Sequence, residues 1–190
     1  MRWITTTLLV PCLLLLLIQM RPVVAAPSQN DSIFGARVLE LTNRARQQAG
    51  LGSLALSSEL NNAAQSYSQV LATSGCFEHT CGPVPNFVDR AGQSGYTGWS
   101  SLGENIAVGY ATPEAVIAGW MNSPGHRANL LSPKFTEMGI GLVSGIGQFG
   151  TYWTQEFGSR PEVTRASAPD TSADDNVAGG ATADDDGSGG

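Results

Sequence analysis

Hydrophobic residues recur every three to four positions near the start of the chain, which is the spacing of helices that bury one face. The first such run covers residues 33–45 and is followed by Gly50, a common helix terminator. The second covers residues 60–71, with Ser57 or Ser58 available as the N-cap. The pattern therefore predicts two amphipathic helices in the first half of the chain.

A third helix is predicted to begin at Thr112-Pro113-Glu114 and to run to about Met121. Threonine can cap a helix, proline fits its first position, and glutamate favours the positive end of the helix dipole. Between the second and third helices, residues 82–103 are rich in Gly, Pro and Ser. This segment is predicted to be irregular, with one short helix around residues 87–91, and long irregular segments often carry function.

Strands are predicted mainly at the end of the chain. Residues 138–143 and 151–157 are β-prone and flank a glycine-rich link at 144–150, which favours an antiparallel hairpin. A third strand is predicted at residues 105–110. Because helices come first and strands come last, the fold class is α+β.

The composition divides the chain into a leader (1–26), a single domain (27–160) and a tail (161–190). The leader has a basic start, an apolar run and small residues at its end, which predicts a cleaved signal peptide and a secreted protein. A membrane anchor is the alternative, but the apolar run is marginal for a span, and we expect none after signal removal. The acidic tail, rich in Asp, Gly and Ala, is predicted to be disordered.

The charge of the chain argues against one class of partner. The formal net charge is −6, but the domain at 27–160 carries nine acidic and seven basic side chains and is almost neutral. Nucleic acid is bound by proteins that present clustered basic charge, so we expect no nucleic-acid partner.

The domain contains two cysteines, Cys76 and Cys81. In an exported protein such a pair is expected to form a disulfide. The ring would be short and would stiffen the turn that carries His79. The alternative is a zinc site built from both thiolates and the two histidines.

Five polar residues are candidates for chemistry. His79 and His126 lie in turn-rich sequence, and His126 near the start of a short helix would be neutral and able to bind a metal. Glu104 shares one face of an extended segment with apolar residues, so we expect it to pair with a histidine. Asp89 is a further candidate, with a surface ion pair to the arginine after it as the alternative. Glu156 alternates with Trp153, Gln155 and Phe157 in the last strand and is expected to point away from the core face that those residues share.

These residues belong to a series of motifs, in a characteristic order and spacing, that extends from residue 32 to residue 158. The motifs are Leu41-Thr42-Asn43, Phe77-Glu78-His79-Thr80, Asp89-Arg90, Gly103-Glu104-Asn105-Ile106-Ala107, Trp120-Met121-Asn122-Ser123-Pro124-Gly125-His126-Arg127-Ala128-Asn129-Leu130-Leu131 and Tyr152-Trp153-Thr154-Gln155-Glu156-Phe157-Gly158. Together they resemble the CAP superfamily (cysteine-rich secretory proteins, antigen 5 and pathogenesis-related 1 proteins), most closely its compact bacterial-type SCP domains. The resemblance implies an α-β-α sandwich around a central antiparallel sheet of three to four strands.

The resemblance also implies a cavity with two histidines and two carboxylates, in which the histidines of many members bind a divalent metal, often zinc. Carried over, the metal-binding residues are His79 and His126, and one carboxylate is Glu104. The other falls on Asp89, where larger eukaryotic members have a glutamate. Tyr96, Trp99 and Trp120 are candidates to line a groove beside this cavity, with a place in the core as the alternative. Glu156 is a further cavity candidate.

For function, the resemblance implies a secreted binding or defence and signalling module for a lipid, sterol or peptide. We expect the protein to be a monomer. One alternative is a metal-dependent, peptidase-like hydrolase in which Glu104 and Asp89 would be catalytic. The sequence has no His-Glu-x-x-His motif and no Gly-x-Ser-x-Gly motif, which weighs against an enzyme. A structural module of the cell surface is the other alternative.

Overall fold

The computed structural model describes residues 29–161. The predicted signal peptide and all but the first residue of the predicted tail lie outside the described residues. Every helix within 29–161 is too short or too polar to cross a membrane.

The described chain forms five helices and four strands. The helices are α1 (Gln29–Gln48), α2 (Ser58–Ser74), α3 (Phe87–Gln93), α4 (Pro113–Asn122) and α5 (Pro124–Leu130). The strands are β1 (Ala55–Leu56), β2 (Ser101–Val108), β3 (Glu137–Ser144) and β4 (Thr151–Ser159). Each predicted helix and strand is present, and the predicted α+β class is confirmed.

Local capping explains where the helices begin. The Ser57 side chain accepts a hydrogen bond from the backbone N–H of Leu60 at the start of α2, and Gly75 ends that helix in a left-handed conformation. Thr112 caps α4 in the same way, with Pro113 at the first helical position. The sequence signals for these two helices therefore act as expected.

The strands form one sheet in the order β1-β3-β4-β2. Strands β3 and β4 are antiparallel, as are β2 and β4, but β1 pairs with β3 in parallel. The expected central antiparallel sheet is confirmed for β3, β4 and β2, and β1 adds a short parallel pairing at the other edge. Strand β1 is a two-residue piece of the connection between α1 and α2, too short to show a period in the sequence.

Helices cover both faces of the sheet, which confirms the sandwich. Helices α1, α4 and α5 cover one face, over a core that includes Trp120 and Trp153. Helices α2 and α3 cover the other, where Tyr67, Leu71 and Ile106 are buried. Strand β2 lies at one edge of the sheet, so elements from both layers can meet beyond it.

Two glycines of β3 let α2 lie directly on the sheet. A Cβ atom at Gly139 would collide with the α2 backbone at Leu60, and one at Gly141 would collide with the backbone at Ala64. Both glycines face α2, and the helix residues that they contact, Leu60 and Ala64, are about one turn apart. The missing side chains therefore set how closely α2 approaches the sheet.

Replacing Gly141 by alanine is expected to lower the free energy of unfolding by about 1–3 kcal/mol, because the added methyl group must push α2 away from the sheet. Gly92→Ala in α3 is the matched control, since nothing lies within 4 Å of its Cβ position. Urea unfolding measures both. A Gly141 variant as stable as the parent would contradict this close approach.

Candidate functional site

The turn after α2 carries His79 inside a small covalent ring. Cys76 and Cys81 form a disulfide, as predicted. The alternative zinc site that used both thiolates is therefore wrong, because these sulfur atoms are bonded to each other. The His79 side chain remains 54% exposed, so the ring presents it to solvent.

His126 lies in the first turn of the short helix α5, as expected from its sequence. The backbone carbonyl of His126 accepts a hydrogen bond from Asn105 Nδ2 of β2, at 3.2 Å, which ties the helix to the edge strand. Burial lowers the pKa of His126, and the nearby His79 lowers it further. The neutral imidazole is therefore favoured, with burial as the main cause.

Both histidines line one open pocket of about 570 Å³ beyond the β2 edge. Its lining residues are Phe77, Glu78, His79, Thr80, Ile106 and His126. The pocket exists because β2 is an edge strand. The disulfide ring reaches it from the α2 side of the sheet, and α5 reaches it from the other side.

Glu104 lies beside this pocket with its side chain only 1% exposed. Its Oε1 atom is 2.7 Å from His79 Nδ1, and its Oε2 atom accepts a hydrogen bond from Arg90 Nη2. The bond to Glu104 raises the pKa of His79. The structure thus brings together His79, His126 and Glu104, as the sequence predicted.

Arg90 is the residue of the site that the sequence reasoning missed. The expected alternative for it was a surface ion pair with Asp89, but its side chain is 6% exposed and bonds to Glu104. The sequence offered one general reason to look for such a residue, because a buried carboxylate such as that of Glu104 needs a cationic partner. Nothing in the local sequence identifies Arg90, which lies on α3, as that partner.

Asp89 lies outside the pocket. It is exposed, and its carboxylate accepts a hydrogen bond from Asn86 Nδ2 at 3.1 Å in the first turn of α3. The second carboxylate beside Glu104 belongs instead to Glu156, which is paired directly with Glu104 across β2 and β4. The expectation that Asp89 completes a four-residue cavity is not met by this arrangement.

Glu156 points away from the core face of Trp153 and Phe157, as expected, but it is completely buried. The second face of β4 is covered by helix α2, which is why Glu156 is buried there. Its oxygen Oε1 is 3.6 Å from Arg90 Nη2, beyond hydrogen-bond distance. Among the described residues, neither carboxyl oxygen has a hydrogen-bond partner.

One guanidinium thus faces two buried carboxyl groups. Burial raises the pKa of Glu156 well above its usual range, and the negative charge of Glu104 raises it further. Arg90 matches the charge of Glu104, while the raised pKa of Glu156 favours its neutral form. The neutral form removes the repulsion that two adjacent carboxylates would otherwise create.

The aromatic residues expected to line a groove lie elsewhere. Tyr96 is buried and donates a hydrogen bond to Glu137 Oε2 at 2.6 Å, and Trp120 is buried in the core on the opposite face. Trp99 is 40% exposed but is not among the residues that line the pocket. The aromatic side chain at the pocket is Phe77, in the disulfide ring.

The donor set for a metal is small. Among residues 29–161, no group of three or more His, Cys, Asp or Glu side chains is arranged to hold an ion. The pocket offers two imidazoles, and Glu104 reaches it only through His79. Any ion held here would have to complete its coordination with water or a ligand.

Replacing Glu156 by glutamine should raise the stability of the protein at neutral pH, because glutamine keeps the shape without the carboxyl group. In the parent the unfolded state loses the Glu156 proton above about pH 4.5 while the folded state keeps it. The unfolding free energy of the parent relative to the variant should therefore fall by up to about 1.4 kcal/mol per pH unit as pH rises through this window. Urea unfolding from pH 4 to pH 8 measures the difference.

Glu104→Gln is the matched control for Glu156→Gln. It leaves Arg90 without its charged partner, so it should destabilise the protein by about 3–5 kcal/mol. A parent and a Glu156→Gln variant with parallel pH profiles would show that Glu156 has an ordinary pKa.

The comparisons with known proteins agree with this architecture. The model of the cysteine-rich secretory protein family (CAP) matches residues 39–157. YkwD of Bacillus subtilis is 39% identical over 133 residues, which cover 70% of this chain and 49% of YkwD. YlbC, a membrane protein of the same bacterium, is 32% identical over 121 residues, 64% of this chain and 33% of YlbC. The chain therefore spans half or less of the length of these curated relatives.

Solved structures show the same fold. An extracellular protein of Bacillus anthracis with an SCP domain is 27% identical with a TM-score of 0.60, over 72% of this chain and 45% of that chain. An outer surface protein of Borrelia burgdorferi has a TM-score of 0.62 over 72% of this chain and 97% of its own. At 18% identity, the second likeness concerns the fold alone. The match to the family model over most of the described residues shows that this chain belongs to the cysteine-rich secretory protein (CAP) family.

Proposed function

We propose that this protein is a secreted CAP module in which His79 and His126 bind a divalent metal ion, most suitably zinc, in a pocket open to an extracellular ligand. The contact between His79 Nδ1 and Glu104 Oε1, at 2.7 Å, carries this proposal. Metal-binding histidines usually donate their other ring N–H to a carboxylate or carbonyl, which fixes the tautomer and the ring. Glu104 is placed to accept that N–H, so Nε2 of His79 is left for the ion.

The electrostatics of His126 support the same assignment. A histidine must be neutral to bind a metal, and burial lowers the pKa of His126. Two protein ligands are fewer than the four of a closed structural zinc site, and they suit an open site with exchangeable positions. When bound, the ion would supply a Lewis-acidic point for an oxygen or nitrogen donor of the ligand.

The pocket lining favours a peptide over a sterol among the three expected ligand classes. Phe77 and Ile106 give the pocket an apolar side, while Glu78 and Thr80 offer polar groups. A peptide segment presents both kinds of surface, together with carbonyl oxygens that an ion can bind. A sterol would leave the polar side of the pocket without partners.

The contacts of Glu104 favour binding over hydrolysis. Its two oxygens are engaged by His79 and Arg90, and the side chain is 1% exposed. A general base must reach the proton that it removes, directly or through one water. Glu104 is therefore a positioning residue for His79, and Asp89 does not line the pocket in which it would have to replace Glu104.

Secretion is supported by three observations on different parts of the chain. The sequence at 1–26 has the pattern of a signal peptide, the domain contains a disulfide, and the similar Bacillus anthracis protein is described as extracellular. An exported location would keep Cys76 and Cys81 oxidised.

Zinc binding tests the proposal. Protein prepared without chelator should bind zinc at close to one ion per chain, and His79→Ala with His126→Ala should remove it. These are the only histidines in the sequence, so no other imidazole can substitute. Calorimetric titration of the parent and the variant gives the affinity and the stoichiometry.

Asp89→Asn is the control, because it removes an exposed carboxylate near the site without touching the pocket. It should bind zinc like the parent. Equal zinc binding by the parent and the double histidine variant would exclude the metal site. A parent that binds neither zinc nor peptide would favour a structural module of the cell surface.

A further inference from the structure

Two consecutive backbone carbonyls in the disulfide ring are held by side chains from two different helices. The Tyr67 hydroxyl of α2 donates a hydrogen bond to the carbonyl of Glu78, at 2.5 Å. Arg90 Nη1 of α3 donates to the carbonyl of His79, at 3.2 Å. Burial raises the pKa of Tyr67 to about 12, so its hydroxyl keeps the proton that it donates.

The two side chains also support each other. The Arg90 guanidinium carbon lies 3.4 Å from the centre of the Tyr67 ring, in cation–π contact. Arg90 Nη1 donates a second hydrogen bond, to the carbonyl of Pro85 at 2.7 Å, which fixes the guanidinium plane against the loop that precedes α3. We call Tyr67 and Arg90 together the Tyr-Arg clamp.

Arg90 reaches His79 by two separate routes. One is the hydrogen bond to the His79 backbone carbonyl, and the other runs through Glu104, which accepts from Arg90 on one oxygen and contacts the imidazole with the other. The first route fixes the backbone from which the ring projects. The second fixes the orientation of the ring.

The disulfide does not supply this constraint by itself. It joins the two ends of the ring, Cys76 and Cys81, whereas the clamp holds the carbonyls of Glu78 and His79 between them. A covalent link at the ends leaves the backbone dihedral angles of the intervening residues adjustable. The clamp therefore acts where the disulfide does not.

We infer that the Tyr-Arg clamp is the positioning device of the pocket, with Arg90 as the positioning residue that sets both the backbone and the ring of His79. This inference rests on the proposed function for its consequence, which is tighter binding of the metal ion. A charge alone would not serve, because these contacts use several donors of one planar group. Lysine has a single ammonium group and cannot reproduce them.

Two variants separate the parts of the clamp. Arg90→Lys keeps the positive charge beside Glu104 and removes the planar array of donors. Tyr67→Phe keeps the ring beneath the guanidinium and removes only the hydroxyl that holds Glu78. The second variant keeps the test decisive if the first fails to fold.

Long-range proton–nitrogen NMR of the imidazoles gives a readout that a purely structural role would not change. The sequence has two histidines, so the spectrum contains two imidazoles, and His126→Ala assigns them. At a pH where the rings are neutral, His79 of the parent should carry its proton on Nδ1, facing Glu104. Arg90→Lys should lose that single tautomer and give a mixture.

Zinc affinity gives the second readout. Loss of groups that orient metal ligands typically weakens binding by roughly 10- to 100-fold, which is the range expected for Arg90→Lys. Tyr67→Phe removes one hydrogen bond to the backbone and should weaken binding on the order of fivefold. Both values come from titrations of folded protein, checked by circular dichroism.

Matched controls exist elsewhere in the domain. Arg46→Lys alters a buried arginine that also donates to backbone carbonyls, including those of Gly52 and Phe135, but does not contact the disulfide ring. Tyr96→Phe removes the hydroxyl of a buried tyrosine that also lies beneath an arginine, Arg160. These variants should leave the His79 tautomer unchanged even where they lower stability.

The outcomes are distinct. A parental His79 tautomer together with parental zinc affinity in folded Arg90→Lys would overturn the inference. If Arg90→Lys does not fold, parental zinc affinity in Tyr67→Phe would overturn it. So would equal changes in the Arg46 and Tyr96 controls, which would indicate a general loss of stability. If the parent binds no zinc, the proposed function fails, and the tautomer of His79 still decides whether the clamp positions the ring.

Discussion

The structure depends on one buried carboxylate, that of Glu104, being held between a cation and an imidazole. A charge in the interior of a sheet sandwich is unfavourable unless it is paired and hydrogen-bonded. Arg90 and His79 satisfy its two oxygens. These two partners come from different parts of the chain, so the need to satisfy one side chain draws α3 and the disulfide ring onto the edge strand.

The same requirement explains why the neutral form of Glu156 is favoured. Glu156 on β4 is the direct neighbour of Glu104 on β2, and a single guanidinium cannot neutralise both carboxylates. The group whose oxygens lack hydrogen-bond partners is the one that keeps its proton. A neutral Glu156 preserves the negative charge of Glu104, and that charge is what orients His79.

The sequence predicted the helices and strands of this fold better than it predicted which residues from different elements contact one another. The caps at Ser57 and Thr112 and the helical spacing of apolar residues are local, so they identified α2 and α4 correctly. The role of Arg90 and the burial of Glu156 depend on which layer covers each face of the sheet. No pattern within one segment reports that, which is why the site was predicted in its histidines and Glu104 but not in its second carboxyl group.

The two histidines are held by different kinds of network that meet at one residue. His79 depends on charged groups that contact the Glu104 side chain, on the α2 side of the sheet. His126 depends on neutral amides: Asn105 Nδ2 donates to its carbonyl, while Asn129 Nδ2 donates to the Glu104 carbonyl at 3.0 Å and to Asn105 Oδ1 at 2.9 Å. Glu104 thus contacts the α2 side of the sheet through its carboxylate and the α5 side through its backbone carbonyl. An edge strand makes this possible, because its outer carbonyls are not used by a neighbouring strand.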